Sequence, residues 1–168
     1  MKAPMIALLA LLAPVPALAH VVAVPGEAKA GSFSAVAFRV GHACAAGDTT
    51  LKLRVEIPDA VASARPQPKP GWTIDIEKAG DKATAVTWTG RLPDDQFDDF
   101  ALLMKLPSQA EALTFPVIQT CEKGESQWTE VPDPAAPDEK LTRPAPTVRL
   151  ITPNTPSGDA AMPAGHQH

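Results

Sequence analysis

The stretch Leu51-Lys52-Leu53-Arg54-Val55-Glu56-Ile57 decides the fold class, because apolar and charged residues alternate along its whole length. Successive side chains of a β-strand point to opposite faces, so one face of this segment is apolar and the other carries three charges. A strand of this kind is typical of an antiparallel sheet that covers a core on one side and meets water on the other. The segment therefore predicts an all-β protein.

The same period of two recurs between residues 20 and 151, and turn residues such as Ala46-Gly47-Asp48 separate the repeats. About seven to nine short strands of this kind are typical of a β-sandwich. We therefore predict an antiparallel β-sandwich of immunoglobulin-like or cupredoxin-like architecture. The alternating segments are residues 32–40, 51–57, 72–77, 85–89, 100–106, 113–118, 127–131 and 147–151.

Composition excludes several classes of protein. The 168 residues suit one domain, and nineteen prolines are incompatible with an all-helical bundle, because proline lacks an amide donor and disrupts helices. The net charge of −4, without any run of Lys or Arg, argues against a nucleic-acid partner. No Gly-x-Ser-x-Gly, His-Glu-x-x-His or Cys-x-x-Cys motif is present. We interpret the pairs Asp94-Asp95 and Asp98-Asp99 as a solvated acidic loop rather than acid–base catalysts, and we do not predict an enzyme.

Residues 1–19 have the pattern of a secretory signal peptide. Lys2 precedes a short apolar run, and Ala17-Leu18-Ala19 fits the small-x-small cleavage pattern. A membrane anchor is the alternative, but the apolar run is too short to span a bilayer and Pro14 interrupts it. We therefore expect a periplasmic protein without a membrane span in its mature chain, which begins at His20.

Export to an oxidising compartment favours a disulfide between Cys44 and Cys121 over a redox pair or a thiolate metal site. The composition becomes rich in proline after residue 131. We assign residues 20–152 to the sandwich domain and residues 153–168 to a flexible tail. That tail contains Met162, His166 and His168.

His20 is the candidate metal ligand, because a histidine at the N-terminus offers its imidazole Nδ1 and its α-amine to one metal ion. The α-amine has an ordinary pKa of about 7.8, so a metal ion displaces its proton readily at neutral pH. Nitrogen ligands suit Cu(II), which heads the affinity order of the divalent ions. A histidine that follows the cleavage site by chance is the alternative interpretation.

Several short motifs follow one another in order along residues 20–151, and together they resemble the YcnI-like copper-binding proteins. The motifs are His20-Val21, Ala30-Gly31-Ser32, Phe38-Arg39-Val40-Gly41-His42-Ala43-Cys44, Pro68-Lys69-Pro70-Gly71-Trp72, Trp88-Thr89-Gly90, Leu92-Pro93-Asp94, Phe97-Asp98-Asp99-Phe100, Phe115-Pro116-Val117-Ile118-Gln119-Thr120-Cys121, Gly124 and Trp128. The resemblance implies an immunoglobulin-like sandwich in the periplasm or at the cell surface. It also implies a Cu(II) site on the N-terminal histidine, called a monohistidine brace, with a carboxylate and a nearby tryptophan.

The resemblance assigns these roles to individual residues. His20 matches the brace histidine, and Trp128 matches the tryptophan beside the metal, with core packing as its alternative role. Asp99 stands where the family has a glutamate, one methylene longer. Other carboxylates that can take its place are Asp98, Glu27 and Glu111. We interpret Trp72 and Trp88 as core residues and His42 as a structural or surface residue.

The predicted function is that of an exported copper chaperone or buffer, which holds Cu(II) at His20 and exchanges it with other periplasmic or membrane copper-transport proteins. Met162, His166 and His168 form a candidate auxiliary copper site, with an ordinary chain terminus as the alternative. Two other functions remain open. One is a copper-dependent enzyme of the monooxygenase type, for which His42 is the candidate second histidine within the domain. The other is a metal-free extracellular interaction domain.

Overall fold

The computed structural model describes residues 20–133, 135–136 and 140–152. The predicted signal peptide and the tail, with Met162, His166 and His168, lie outside these residues. The described part contains β-strands and no helix, which confirms the all-β prediction. The strands are β1 (Val22–Val24), β2 (Glu27–Lys29), β3 (Phe33–Val40), β4 (Thr49–Glu56), β5 (Ser63–Pro66), β6 (Thr73–Ala79), β7 (Lys82–Pro93), β8 (Asp98–Lys105), β9 (Ala112–Thr114), β10 (Val117–Cys121), β11 (Glu125–Trp128) and β12 (Thr147–Ile151).

Two antiparallel sheets form the sandwich. The first has the strand order β1-β3-β8-β5 and the second the order β11-β10-β4-β7-β6. A third, small sheet has the order β2-β12-β9, and its β2–β12 pair is parallel. Parallel neighbours need a long connection, and here most of the domain lies between the two strands. The antiparallel prediction is thus confirmed for both main sheets, with one parallel pair added at the side.

The alternating segments that predicted the fold supply the core. Leu53 and Val55 of β4 are fully buried, as the alternation in 51–57 requires. Phe100 of β8 is also fully buried and lies edge-on to two tryptophan rings, Trp88 at 5.6 Å and Trp72 at 4.8 Å between ring centroids. Trp88 is a core residue as predicted, whereas Trp72 is half-buried at the margin of the core.

The absence of a side chain at Gly90 of β7 leaves room for the indole of Trp72. A Cβ atom at residue 90 would lie only 2.4 Å from Cδ2 of Trp72, so the indole packs where any other residue would put a side chain. The tryptophan and the glycine therefore form one packing unit between the loop before β6 and strand β7.

The structure departs from the sequence prediction in the number and limits of the strands. It has twelve strands rather than seven to nine, and β1, β2 and β5 were not predicted. The segment 113–118 divides into β9 and β10 at Pro116, which has no amide hydrogen for a sheet. Ile76 of β6 is 38% exposed, because β6 is the edge of a five-stranded sheet that packs against a four-stranded one.

The predicted disulfide is present between Cys44, shortly after β3, and Cys121, the last residue of β10, with 6.0 Å between their Cα atoms. The amide of Cys44 also donates a hydrogen bond to Sγ of Cys121. The bond therefore joins the loop between β3 and β4 to the second sheet. Among the residues that the structure describes, none belongs to a helix long and apolar enough to cross a bilayer.

Candidate metal centre

His20 and Trp128 meet at one side of the sandwich. His20 lies just before β1, the edge strand of the first sheet, and Trp128 ends β11, the edge strand of the second. Their ring centroids are 5.6 Å apart and their planes are inclined by 62°, an edge-to-face arrangement. The fold thus brings together two residues that are 108 positions apart in sequence, and both were candidate site residues.

The burial of the His20 ring decides which of its nitrogens is available. Its Nε2 atom is buried and has no hydrogen-bond partner among the described residues. Nδ1 is therefore the ring nitrogen left for a metal ion, and it is also the one that would form a chelate ring with an α-amine on His20 after the predicted cleavage behind Ala19. The donor set at His20 fits the Cu(II) ion that the sequence predicts.

Trp128 is held in place by a buried glutamine that sequence analysis did not single out. The indole Nε1–H of Trp128 donates to Oε1 of Gln119 at 3.1 Å, and Gln119 is only 1% exposed. The Nε2 group of Gln119 donates in turn to the carbonyl oxygen of His42 at 2.7 Å and to Oγ1 of Thr50 at 2.8 Å. Since the indole nitrogen has no lone pair to offer, Trp128 can shape the centre but cannot ligate a metal ion through it.

A signal for Gln119 was present in the sequence. In β10 the residues Val117, Gln119 and Cys121 face the interior, so a polar residue occupies a position that the period of two assigns to the core. Buried polar side chains are normally hydrogen-bonded, and an isolated one in an apolar row indicates a network. That reasoning would have identified Gln119, but not its partners.

Asp99, the predicted carboxylate ligand, is paired with an arginine. Asp99 of β8 lies opposite Arg39 of β3, and the guanidinium donates to both carboxylate oxygens at 2.8 Å. These hydrogen bonds and the positive charge of Arg39 hold the pKa of Asp99 below its usual value. No hydrogen bond or ion pair joins His20 to Asp99 in the described part of the chain. The role of Asp99 as a copper ligand stays a prediction.

The other candidate carboxylates lie in separate surroundings. Asp98 accepts a hydrogen bond from Nζ of Lys69 at 2.5 Å, and Glu27 pairs with Arg149. Glu111 is exposed and uses its backbone carbonyl to bind the amide of Leu150. Within the described ranges, no group of three or more His, Cys, Asp or Glu side chains is arranged to hold a metal ion. None of these three carboxylates has a hydrogen bond or ion pair with His20 among the described residues.

The loop between β3 and β4 follows the end of β3, which pairs with the beginning of β1 near His20. Hydrogen bonds hold this loop in place. The carboxylate of Asp94 accepts hydrogen bonds from the amides of Ala43 at 2.9 Å and Gly47 at 2.8 Å. Those two bonds are the main reason that the pKa of Asp94 lies below its usual value, and His42 contributes to the same shift. Asp94 thus acts as a cap of this loop.

The chain is similar to a protein family and to a copper-binding protein. The model of a family described as "Domain of unknown function (DUF1775)" matches residues 20–150. The copper-binding protein CutI of Bacillus subtilis (strain 168) is 31% identical over 126 residues, and the match covers 73% of this chain and 61% of that protein. The match thus spans about three fifths of the length of this relative.

A solved structure shows the same architecture. It is the crystal structure of an uncharacterized protein from Nocardia farcinica, described as revealing an immunoglobulin-like fold. It is 35% identical to this chain, with a TM-score of 0.66, and the match covers 78% of this chain and 97% of that one. The immunoglobulin-like alternative of the predicted sandwich is therefore confirmed.

Proposed function

The chain belongs to the YcnI-like, DUF1775 family, and on that premise we propose that it is an exported protein that binds Cu(II) through His20. The relative from B. subtilis is named a copper-binding protein, which supports copper as the cargo. We propose the periplasm as the compartment, after cleavage behind Ala19. The family match begins at His20, the residue that this cleavage makes the first one.

The packing of the His20 ring is the observation that supports the proposal most directly. The His20 ring packs edge-on against Trp128 with its Nε2 atom enclosed, so the imidazole is held in one orientation with Nδ1 left as donor. A ligand whose ring is fixed before the metal arrives loses little conformational freedom on binding. The α-amine completes a two-nitrogen chelate. Asp99 is the carboxylate that we propose as a further ligand, and it must leave Arg39 to reach the metal.

We propose that the protein holds copper and passes it on to other periplasmic or membrane copper-transport proteins, and that it does not catalyse a reaction. The copper-binding relative and the immunoglobulin-like fold support a binding role. With a reductant and a polysaccharide present, the copper-loaded protein is expected to release no oxidised sugar. Sustained product formation that depends on copper would favour the monooxygenase alternative instead.

The decisive experiment changes only the first residue. Cu(II) binding is measured by competition with a chelator of known affinity for three proteins: one that begins at His20, one with a single alanine before His20, and a His20→Ala variant. The protein beginning at His20 is expected to bind one tight Cu(II) ion, and the other two are expected to lose that site. The added alanine leaves every side chain in place and removes only the α-amine of His20 from the chelate.

A matched variant tests the neighbouring indole. Trp128→Phe is expected to keep Cu(II) binding, because the indole is not a ligand, but to lose much of the fluorescence quenching that Cu(II) causes.

Equal affinity of all three proteins in the first experiment would contradict the proposal. So would the absence of any tight binding by the protein that begins at His20.

A further inference from the structure

We infer that Gln119 is a positioning residue of the copper centre, which acts on His20 through the indole of Trp128. The inference rests on the proposed function and concerns the same site. Gln119 does not bind the metal ion itself. Its hydrogen bond with Trp128 fixes the indole against the His20 ring, and the fixed ring presents Nδ1 to Cu(II). Gln119 therefore sets the affinity of the site from a distance.

Two direct contacts join Gln119 to the candidate ligand. Oε1 of Gln119 accepts the indole N–H of Trp128 at 3.1 Å, and the ring centroids of Trp128 and His20 are 5.6 Å apart in an edge-to-face arrangement. The indole is thus a single intermediate between the glutamine and the histidine. Because Nε2 of His20 is buried, a turn of the indole would change the surroundings of the imidazole.

The pairing of β10 with β11 places Gln119 and Trp128 on the same face of the second sheet. Trp128 lies opposite Val117, and Gln119 stands two residues further along β10 on the same inward-facing side. Diagonal neighbours of this kind lie within reach of long and aromatic side chains. Among the described strands, β10 is the only neighbour of the edge strand β11 within this sheet. The orientation of the indole therefore depends on its partner on β10.

The other partners of Gln119 fix the direction of its amide group. Nε2 donates to the carbonyl oxygen of His42 at 2.7 Å and to Oγ1 of Thr50 at 2.8 Å, which uses both of its N–H groups. A flipped amide would bring an N–H against the indole N–H and a carbonyl oxygen against the carbonyl oxygen of His42. Oε1 is therefore held as the acceptor for Trp128.

Loss of this acceptor would leave the indole N–H without a partner at a residue that is only 6% exposed. A buried donor without an acceptor is unfavourable, so an orientation in which the indole N–H reaches water becomes the better one. The indole then leaves its position against His20, and the imidazole regains freedom that it must lose again on binding Cu(II). Trp128→Phe removes the N–H but keeps an aromatic ring, so this variant packs against His20 with or without Gln119.

The test separates an effect on the copper site from an effect on stability. Cu(II) affinity is measured by chelator competition on four proteins that begin at His20: the wild type, Gln119→Leu, Trp128→Phe and the Gln119→Leu/Trp128→Phe double variant. Gln119→Met is measured in parallel, because it keeps the length of the side chain and its thioether is only a weak acceptor. Val86→Ala is the control for stability, since Val86 is fully buried in β7, which pairs with β4 and β6. Circular dichroism checks that each protein is folded at the temperature of the measurement.

We expect Gln119→Leu and Gln119→Met to bind Cu(II) about tenfold more weakly than the wild type. Their Cu(II) EPR spectra should be broader, because the His20 ring takes more than one orientation. The double variant is expected to bind as tightly as Trp128→Phe alone, although it remains less stable than the wild type. Val86→Ala is expected to lose stability and to keep its copper affinity.

Three results would overturn the inference and leave the proposed function intact. The first is equal affinity of the wild type and both Gln119 variants. The second is a double variant as weak as Gln119→Leu, and the third is a loss of affinity in Val86→Ala as large as that in Gln119→Leu. If the wild-type protein shows no tight Cu(II) site, the proposed function fails and the inference fails with it.

Discussion

The ion pair between Arg39 and Asp99 has to open before Asp99 can serve as the carboxylate ligand that we propose. The two side chains form a two-point ion pair, and each is more than a third exposed. If Asp99 binds copper, Asp99→Asn weakens binding, and Arg39→Gln leaves binding equal or tighter because it frees the carboxylate. Chelator competition measures both variants, with Asp95→Asn as control, since Asp95 is exposed and lies in the loop just before β8. Unchanged affinity in both variants would remove Asp99 from the ligand set.

The same pair has a signature in the pH dependence of stability. Arg39 lowers the pKa of Asp99 from its usual 3.8, so the carboxylate stabilises the folded protein above that pH. This contribution is lost as the pH falls through the lower, folded-state pKa. Asp99→Asn is therefore expected to unfold slightly more easily than the wild type at pH 7, and equally easily once Asp99 of the wild type is protonated in both its folded and its unfolded state. Urea unfolding of the metal-free proteins across this pH range measures the difference, and a gap that persists in acid would contradict the assignment.

Single residues were predictable from the sequence where their signal was local. His20 follows a cleavage pattern, and Trp128 stands at a fixed distance from Gly124 and Cys121. The partner of Asp99 was not predictable, because Arg39 lies 60 positions away and meets it only through the β3–β8 register. The fold therefore decides whether a carboxylate is free, and residue type alone does not reveal it.

Strand β10 connects the candidate centre to the core through Gln119. The side chain of Gln119 forms hydrogen bonds with the indole N–H of Trp128, the carbonyl oxygen of His42 and the hydroxyl of Thr50. Each buried group left without a partner costs about 1–3 kcal/mol. Gln119→Leu is therefore expected to lower the free energy of unfolding by about 2 kcal/mol or more, as measured in urea. Gln127→Leu, on the exposed face of β11, is the control and is expected to change little.

A double-mutant cycle isolates the bond between the two strands. Gln119→Leu and Trp128→Phe, alone and together, are expected to show a coupling energy of about 1 kcal/mol, typical of a buried hydrogen bond. Strict additivity would mean that the Trp128–Gln119 bond does not hold the indole in place. Gln119→Leu should in that case also leave the fluorescence anisotropy unchanged.

Strands were predictable where burial on one face enforced the alternation. β4 and β8 lie inside their sheets and repeat the period of two closely, so the sequence predicted them to within a few residues. β6 is an edge strand with an exposed Ile76, and its apolar residues bury less than the pattern indicates. β1, β2 and β5 have only three or four residues each, too few for a period to be visible. Short edge strands depend on their neighbours, which a local pattern does not contain.

At the scale of the whole molecule, the Cys44–Cys121 disulfide links the loop after β3 of the first sheet to the end of β10 in the second, and its cysteines are 77 positions apart. One end lies in the loop that carries His42, and the other ends the strand that carries Gln119. The closed sandwich and this cross-link were accessible from the sequence, because the alternation predicted the sheets and export predicted the oxidised pair.

Removal of the disulfide is expected to affect stability and copper binding to different degrees. In the chain-entropy model a loop of this length is worth about 4 kcal/mol, so Cys44→Ala/Cys121→Ala should lower the free energy of unfolding by up to that amount. The two sheets should still form, because the core of Leu53, Val55 and Phe100 does not depend on the bond. Copper affinity should fall less than in His20→Ala, since the loop between β3 and β4 loses its anchor while His20 keeps its contact with Trp128. Urea unfolding, thiol titration of the denatured wild type and chelator competition measure the three effects. Free thiols in the oxidised wild type, or a cysteine variant as weak in copper binding as His20→Ala, would contradict this division of roles, because the loop would then support His20 itself.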